Sequence, residues 1–228
     1  MKGDKLLFQK HHKLKARRIV SRLLSHYYRA GAKYVIALGG ESGTGKTEIT
    51  YYLRELLYDV GIRVQMISLD DYYRIKWSIR NKVREENQAK DVGSLEIDWE
   101  LLDRAIDVFK SNESENVFRQ LNKYIDDYEY TFFDDNSVDI LIVEGLYALD
   151  LATADLRIYL EGGYKETRCF RLERGKEMQS ALRNKILDKE REAVIGTYDK
   201  ANFRLTFDGL VIWRKRSWLE KVKDTEYI

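Results

Sequence analysis

The chain of 228 residues predicts an α/β fold, a central parallel sheet flanked by helices, and three observations carry that expectation. Residues 34–38 (Tyr-Val-Ile-Ala-Leu) and 140–143 (Ile-Leu-Ile-Val) are unbroken apolar runs, the pattern of strands buried on both faces. Segments with apolar residues at helical spacing lie between the strand candidates, so strands and helices alternate along the chain. The junction after the first run reads Gly39-Gly40-Glu41-Ser42-Gly43-Thr44-Gly45-Lys46-Thr47, a turn between strand and helix. From Gly40 to Thr47 it fits G-x-x-x-x-G-K-[ST], the phosphate-binding loop.

Taken in order, residues 5–30 place Ile19, Val20, Leu23, Leu24 and Tyr27 on one stripe, with Lys and Arg on the other faces and Gly31 as a stop. The net charge of +2 conceals an asymmetry: residues 1–33 hold ten Lys/Arg and one Asp, whereas the remainder holds 30 basic and 37 acidic residues. A basic amphipathic helix can contact nucleic acid or an anionic membrane, or it can pack on the domain with its charges in water. Its aromatics lie on the apolar stripe and not between the charges, which favours packing. Residues 1–32 are therefore expected to be a basic helix packed on a single domain spanning 1–228. His11 and His12 are adjacent, about 100° apart on a helix, so they cannot share a metal ion unaided and are expected in solvent.

After the loop, Ile49, Tyr52, Leu53, Leu56, Leu57 and Val60 follow helical spacing, and Gly61 ends the helix. Residues 63–69 read as a second strand that runs into Asp70-Asp71-Tyr72-Tyr73-Arg74. Residues 74–95 are polar without a clear period, and a mobile loop with a short helix beside the site is expected there. Asp98 is placed to cap a helix whose core face is Trp99, Leu102, Ala105, Ile106 and Phe109, and residues 111–116 form a polar connection. Residues 117–135 are rich in Tyr and Phe, with acidic residues between them. Partial alternation suggests a hairpin or edge strand, whose Tyr128 and Tyr130 either stack on a substrate or simply pack. Residues 138–145 form a central strand ending in Glu144-Gly145, and residues 154–160 form another. Gly162-Gly163 opens a long charged helical region, 164–193. A last strand at 207–212 and a basic tail helix complete the chain.

Composition excludes several classes. A single cysteine, Cys169, rules out an intrachain disulfide framework, and nothing near it has metal-ligand spacing. No apolar segment is long enough for a signal peptide or a membrane span, so a cytoplasmic protein without a membrane partner is expected. There is no Asn-Lys-x-Asp guanine-reading motif and no Leu-Ser-Gly-Gly-Gln signature of transporter ATPases.

The motif assigns chemistry residue by residue. Backbone N–H groups of Gly40, Glu41, Ser42, Gly43, Thr44 and Gly45 would cradle phosphate oxygens at a helix N-terminus. Lys46 would reach the β- and γ-phosphates, and the Thr47 hydroxyl would sit on Mg²⁺. Carboxylates at the C-terminal ends of parallel strands point into the ligand crevice. Asp70 there can accept a proton from an attacking hydroxyl or hold a metal-bound water, and Glu144 is the metal-side carboxylate. Asp71 stands equally as ligand contact or structural residue. Arg168, Arg171 and Arg174 recur every three residues and can close over phosphates as a lid, or form ion pairs along a solvated helix.

Residues 33–212 resemble the uridine kinase and phosphoribulokinase group of P-loop kinases. The stretches that carry the resemblance are the glycine loop, Leu-Asp-Asp-Tyr-Tyr-Arg, Ile-Asp-Trp-Glu-Leu-Leu and Ile-Leu-Ile-Val-Glu-Gly-Leu-Tyr-Ala-Leu. The resemblance implies a P-loop NTPase fold of nucleoside/nucleotide-kinase type with a helical lid at 163–193. It also implies ATP and Mg²⁺ as cofactors, Asp70 as catalytic base, Tyr73 and Arg74 as substrate-side residues, and Glu144 as the acid near Mg²⁺. Uridine kinases usually carry a Phe-Asp-His-Pro-Asp-Ala-like segment where this chain has Asp91-Val92-Gly93-Ser94-Leu95-Glu96-Ile97. They also place a histidine after a Tyr-Asp-Phe segment, whereas here no histidine follows position 26. The expected activity is γ-phosphoryl transfer to a hydroxyl of a small metabolite, a nucleoside such as uridine or a sugar phosphate. The alternative is a kinase or ATPase acting on a macromolecule through the basic helix. Nucleic acid is not the expected partner, and a homo-oligomer stays open.

Overall fold

A computed structural model describes residues 3–29, 31–111, 116–133, 137–175 and 180–213. The main sheet has six strands: β1 (Tyr34–Gly40), β2 (Val64–Ser68), β5 (Ile140–Glu144), β6 (Leu156–Leu160), β7 (Phe203–Leu205) and β8 (Val211–Trp213). Their spatial order is β2-β5-β1-β6-β7-β8. All neighbours are parallel except β7 and β8. The α/β architecture expected from sequence is thus the observed one, with an antiparallel strand added at one edge. β3 (Asn116–Asn122) and β4 (Asp127–Phe133) form a separate antiparallel hairpin.

Alternation along the central strands divides the core into two layers, because successive side chains point to opposite faces. Val35 and Ala37 of β1 face a cluster with Leu102, Ile106 and Phe109 of α4 (Trp99–Ser111) and Phe118 of the hairpin. Ile36 and Leu38 face the other cluster. It holds Ile49, Leu53 and Leu57 of α2 (Lys46–Tyr58) and Ala16, Ile19 and Leu23 of α1 (Lys10–His26). α1 therefore covers α2 with its apolar stripe, and each fully buried Ile or Leu there contributes roughly 1.5–3 kcal/mol. α4 starts where expected, with the Leu101 N–H donating to the Asp98 carboxylate at 3.3 Å.

Several boundaries differ from the sequence reading, each for a local reason. α1 begins at Lys10, and residues 5–9 run extended beside α2, where the Leu7 N–H donates to the Glu48 carboxylate at 3.1 Å. By contrast, the short helix expected within 74–95 is present as α3 (Trp77–Glu86), ten residues long. The charged region 164–193 divides into α5 (Arg168–Arg174) and α6 (Ala181–Ile195). Gly175, at φ 62° in the left-handed region, ends α5, and the Ser180 hydroxyl caps α6 by accepting from the Arg183 N–H at 3.0 Å. The strand expected at 207–212 is a turn at 206–210 between β7 and β8, closed by Thr206 N–H to Leu210 O at 2.8 Å. The basic tail helix lies outside the described residues.

His12 is also placed otherwise than expected. It is buried, and its imidazole packs against the Cα of Gly45, where any side chain would collide with the ring. Gly45 also sits at φ 82°, a conformation that glycine adopts at little cost. The His12 Nδ1 accepts from the Gln9 N–H at 3.3 Å. Burial, reinforced by neighbouring His11, pushes the His12 pKa down to about 4. Between that value and the ordinary one of about 6.5, the unfolded chain binds the proton and the folded chain does not. Stability contributed by neutral His12 is therefore present above about pH 6.5 and is lost as pH falls towards 4. Urea unfolding midpoints across that range should drop with acidity in the native chain and drop less in His12→Gln.

Candidate active site

The C-terminal ends of three adjacent strands converge on one cleft. Parallel register sets Glu144 of β5 level with Leu38 of β1 and Ser68 of β2. The glycine loop leaves the first, a 3-10 turn (Leu69–Tyr72) carrying Asp70 leaves the second, and Glu144 ends the third between them. The cleft, of about 380 Å³, is lined by Lys46, Thr47, Asp70 and Glu144 together with Ser42 and Gly43.

Within the loop, the Lys46 ammonium donates to Gly40 O at 2.8 Å and Glu41 O at 2.9 Å, and the Thr44 hydroxyl donates to Glu41 O at 2.9 Å. The Thr47 hydroxyl donates to the Glu144 carboxylate at 3.2 Å, so two oxygens stand side by side at the start of α2. Burial pushes the Lys46 pKa down, opposed by the attraction of Glu144 and Asp70. Burial likewise pushes Glu144 up against the pull of Lys46. Among the described residues no group of three His, Cys, Asp or Glu is arranged to hold a metal by itself. A cation here would be held by the Thr47–Glu144 oxygens and by ligand oxygens, as suits Mg²⁺, which keeps much of its shell from phosphates and water.

The segment after β2 is clamped by the hairpin. The Arg119 guanidinium donates from Nε to Asp71 O at 2.7 Å and from Nη2 to Tyr73 O at 3.4 Å, lying 5.1 Å from the Tyr72 ring centroid and 4.3 Å from that of Tyr128. The Tyr128 hydroxyl donates to Tyr73 O at 3.1 Å. Buried Asp71 accepts from the Leu121 N–H at 2.8 Å, and burial raises its pKa to about 7. Asp71 lines the cleft, yet its carboxylate is engaged in holding β3. Tyr73 also lines it, buried with the Arg80 guanidinium 3.6 Å from its ring centroid.

Three residues expected on the substrate side are not in the cleft lining. Arg74 is exposed and faces Asp98 at 4.0 Å, Tyr128 is turned onto Arg119, and Tyr130 is 59% exposed. The 3-10 turn and the strand alternation direct them away. The three lid arginines also separate: residues spaced by three spread over about 120° of a helix, and only the Arg174 end of that arc meets the cleft. Arg174 lines the cleft and pairs with Glu48. Arg171 is buried and donates to Tyr164 O at 2.7 Å. Arg168 is exposed and lies outside the lining. Residues of this lid stand on the loop itself: a Cβ at Gly43 would lie 2.9 Å from both Thr167 and Arg171. The Glu41 side chain is turned away from the cleft and buried, accepting from the Tyr164 N–H at 2.7 Å and the Arg191 guanidinium at 3.1 Å, which leaves its backbone N–H as the group expected at the phosphates.

Sequence reading missed other lining residues. Trp77, Arg80, Asn81 and Arg84 share one face of α3 at helical spacing, a signal legible in the sequence once residues 77–86 are read as a helix. Arg84 binds Glu96 through two bonds of 2.8 Å and reaches Glu190 of α6 at 3.3 Å. Arg183 reaches the same Glu190 at 3.4 Å. This buried set ties the lid helix to the cleft wall, and charge-assisted pairs of this kind fix geometry more reliably than they add stability. Asp4, Leu6, Gln120 and Lys123 complete the far end and carried no local signal.

A protein-family model described as "Phosphoribulokinase / Uridine kinase family" matches residues 35–185. A curated relative, a bifunctional alpha-galactosidase/sucrose kinase of Mediterraneibacter gnavus, is 25% identical over 160 residues, covering 65% of this chain and 17% of that protein. The chain thus spans about a sixth of the curated relative's length. Among solved structures, D-glycerate 3-kinase of Cryptococcus neoformans superposes with a TM-score of 0.59 at 13% identity, over 90% of this chain and 98% of that one. Phosphoribulokinase of Rhodobacter spheroides superposes at 0.58 with 12% identity, over 86% and 85%. These likenesses place the fold.

The hairpin clamp is open to test. Arg119→Met removes hydrogen bonds from a charged donor while keeping apolar volume, and it should lower unfolding stability by about 2 kcal/mol in urea.

Proposed function

The chain belongs to the phosphoribulokinase/uridine kinase family, and on that premise we propose that it is a phosphotransferase that moves the γ-phosphoryl group of ATP, with Mg²⁺, to a hydroxyl of a small sugar-like or nucleoside acceptor. The observation that carries this reading is the shared cleft of Lys46, Thr47, Glu144 and Asp70. A switch or a water-directed ATPase needs the first three, whereas a half-buried carboxylate beside them suits proton acceptance from an alcohol.

The residues present fit Mg-ATP. Loop amides at the start of α2 and the Lys46 ammonium offer donors for phosphate oxygens, and the Thr47–Glu144 oxygen pair at 3.2 Å offers a hard cation site. When bound, Mg²⁺ supplies charge neutralisation on the phosphates and a fixed direction of approach. Lys46 gives up its bonds to Gly40 O and Glu41 O to meet the β- and γ-oxygens. Asp70 accepts the acceptor's hydroxyl proton as the oxygen–phosphorus bond forms and the β–γ bridge breaks, leaving ADP. Arg174 is the lid cation placed to meet transferring charge, exchanging Glu48 for phosphate as α5 settles. Arg171 positions α5 on Gly43, and Arg168 is assigned no contact.

A sugar-like acceptor is favoured over uridine on two grounds. The histidines with which uridine kinases read their base have no counterpart after position 26, and the curated relative is by name a sucrose kinase. Incubating the protein with Mg-ATP and separate sugars, sugar phosphates, hydroxy acids and nucleosides should yield one phosphorylated product. Asp70→Asn should lower its kcat by roughly 10²–10⁴-fold with nucleotide affinity nearly unchanged. Lys46→Ala should lose both. Full turnover in Asp70→Asn would falsify the proton-acceptor assignment.

A further inference from the structure

Residues 4–9 precede the family-matched region, yet they lie across the mouth of the cleft. Asp4 pairs with Lys123 at the hairpin tip at 2.8 Å, and the two side chains are only 11% and 14% exposed. The Lys123 ammonium lies 5.1 Å from the centroid of the Trp77 ring. Leu6 lines the cleft beside them. The segment is fastened along its length: Leu7 to Glu48, Phe8 edge-on to Tyr51 and Tyr52 at 6.0 and 5.4 Å, and the Lys5 ammonium to Glu173 O at 3.2 Å. It therefore bridges the hairpin, α5 and α2.

We propose that this segment is the far wall of the acceptor chamber, and that Asp4, Lys123 and Trp77 select a neutral sugar or polyol whose reacting hydroxyl faces Asp70. The inference rests on the kinase reading and names its acceptor. An ion pair held largely out of water is costly to desolvate, so its place in a cleft wall needs a reason beyond stability. A carboxylate beside an ammonium offers acceptors and donors for neighbouring hydroxyls, and an indole face offers an apolar surface to the C–H side of a sugar ring. Asn81 and Gln120, on the same lining, both donate and accept.

The charge pattern points to a neutral acceptor. Lys123 is matched by Asp4, Arg84 by Glu96 and Glu190, Arg183 by Glu190, and Arg174 by Glu48, while Arg54 of α2 stacks on the Tyr51 ring at 5.3 Å. Arg80 is turned onto the Tyr73 ring and donates to Ile75 O. At the proposed wall an acceptor phosphate would have to break the buried Asp4–Lys123 pair, whereas a hydroxyl can share it.

The test uses the full chain, Asp4→Ala, Lys123→Met and Leu6→Ala, with folding of each checked by thermal unfolding. Neutral hexoses, disaccharides and polyols are compared with their phosphates and with nucleosides. The expected result is phosphate gain by a neutral sugar or polyol, with its KM raised about tenfold or more in Asp4→Ala and in Lys123→Met while the KM for ATP stays within about twofold. The double variant should be no worse than the weaker single one, since the pair acts as a unit. Acceptor-free hydrolysis of Mg-ATP should rise in Leu6→Ala as the wall loosens. A phosphorylated sugar or a nucleoside as acceptor, or none among the sugars, overturns the neutral-sugar assignment. Unchanged KM and hydrolysis in every variant overturn the wall. Failure of the native chain to bind Mg-ATP is a different result, and it sinks the kinase reading itself.

Discussion

Parallel pairing of β1, β5 and β2 is the constraint on which the rest depends. Because the three strands run the same way and Glu144 stands level with Leu38 and Ser68, the glycine loop, the Asp70 turn and the Glu144 carboxylate emerge at one edge. A one-residue slip in any pairing would turn that strand's whole side-chain set to the other face. The apolar residues of β1 and β5 are buried on both faces, so their register is held by two core layers at once. The cleft is thus a consequence of how the core packs.

Such an arrangement gathers charge where water is scarce. Lys46 and Glu144 are each pushed towards their neutral forms by burial while attracting one another, and Asp70 opposes that push at Lys46 and reinforces it at Glu144. A bound phosphate and cation would compensate charges that the protein leaves imperfectly solvated. Elsewhere, charge serves to position. Glu190 joins α6 to α3 through Arg84 and is held within α6 by Arg183, and Arg119 grips the backbone of the Asp71–Tyr73 segment. The helices α6 and α3, and the hairpin and the Asp71–Tyr73 segment, are thus held together by charged contacts as well as by packing.

α1 and the segment before it add a layer to the phosphate-loop helix. Its apolar stripe meets α2 in the second core cluster, His12 packs on Gly45, and Glu48 receives both Leu7 and Arg174. Not every basic residue of α1 stays in water: Lys15 is buried with its ammonium 5.3 Å from the Phe207 ring centroid, and the Lys13 ammonium lies 5.8 Å from that of Tyr52 on α2. No helix among the described residues is long and apolar enough to cross a membrane.

By itself the sequence determined the α/β class, the phosphate loop, the strands ending at Asp70 and Glu144, and the Asp98 cap. These are local signals, a residue pattern with a fixed neighbour relation, and local physics is enough to produce them. Tertiary structure decided what depends on distant partners. Glu41 points beneath the lid because Tyr164 and Arg191 are there. The arginines of α5 separate because only one face of that helix meets the cleft. Arg74, Tyr128 and Tyr130 leave the lining because the hairpin is turned to clamp the backbone. His12 is buried and Asp4 reaches Lys123 because α1 folds back over α2, and side chains more than a hundred residues apart can meet only when the whole chain has packed.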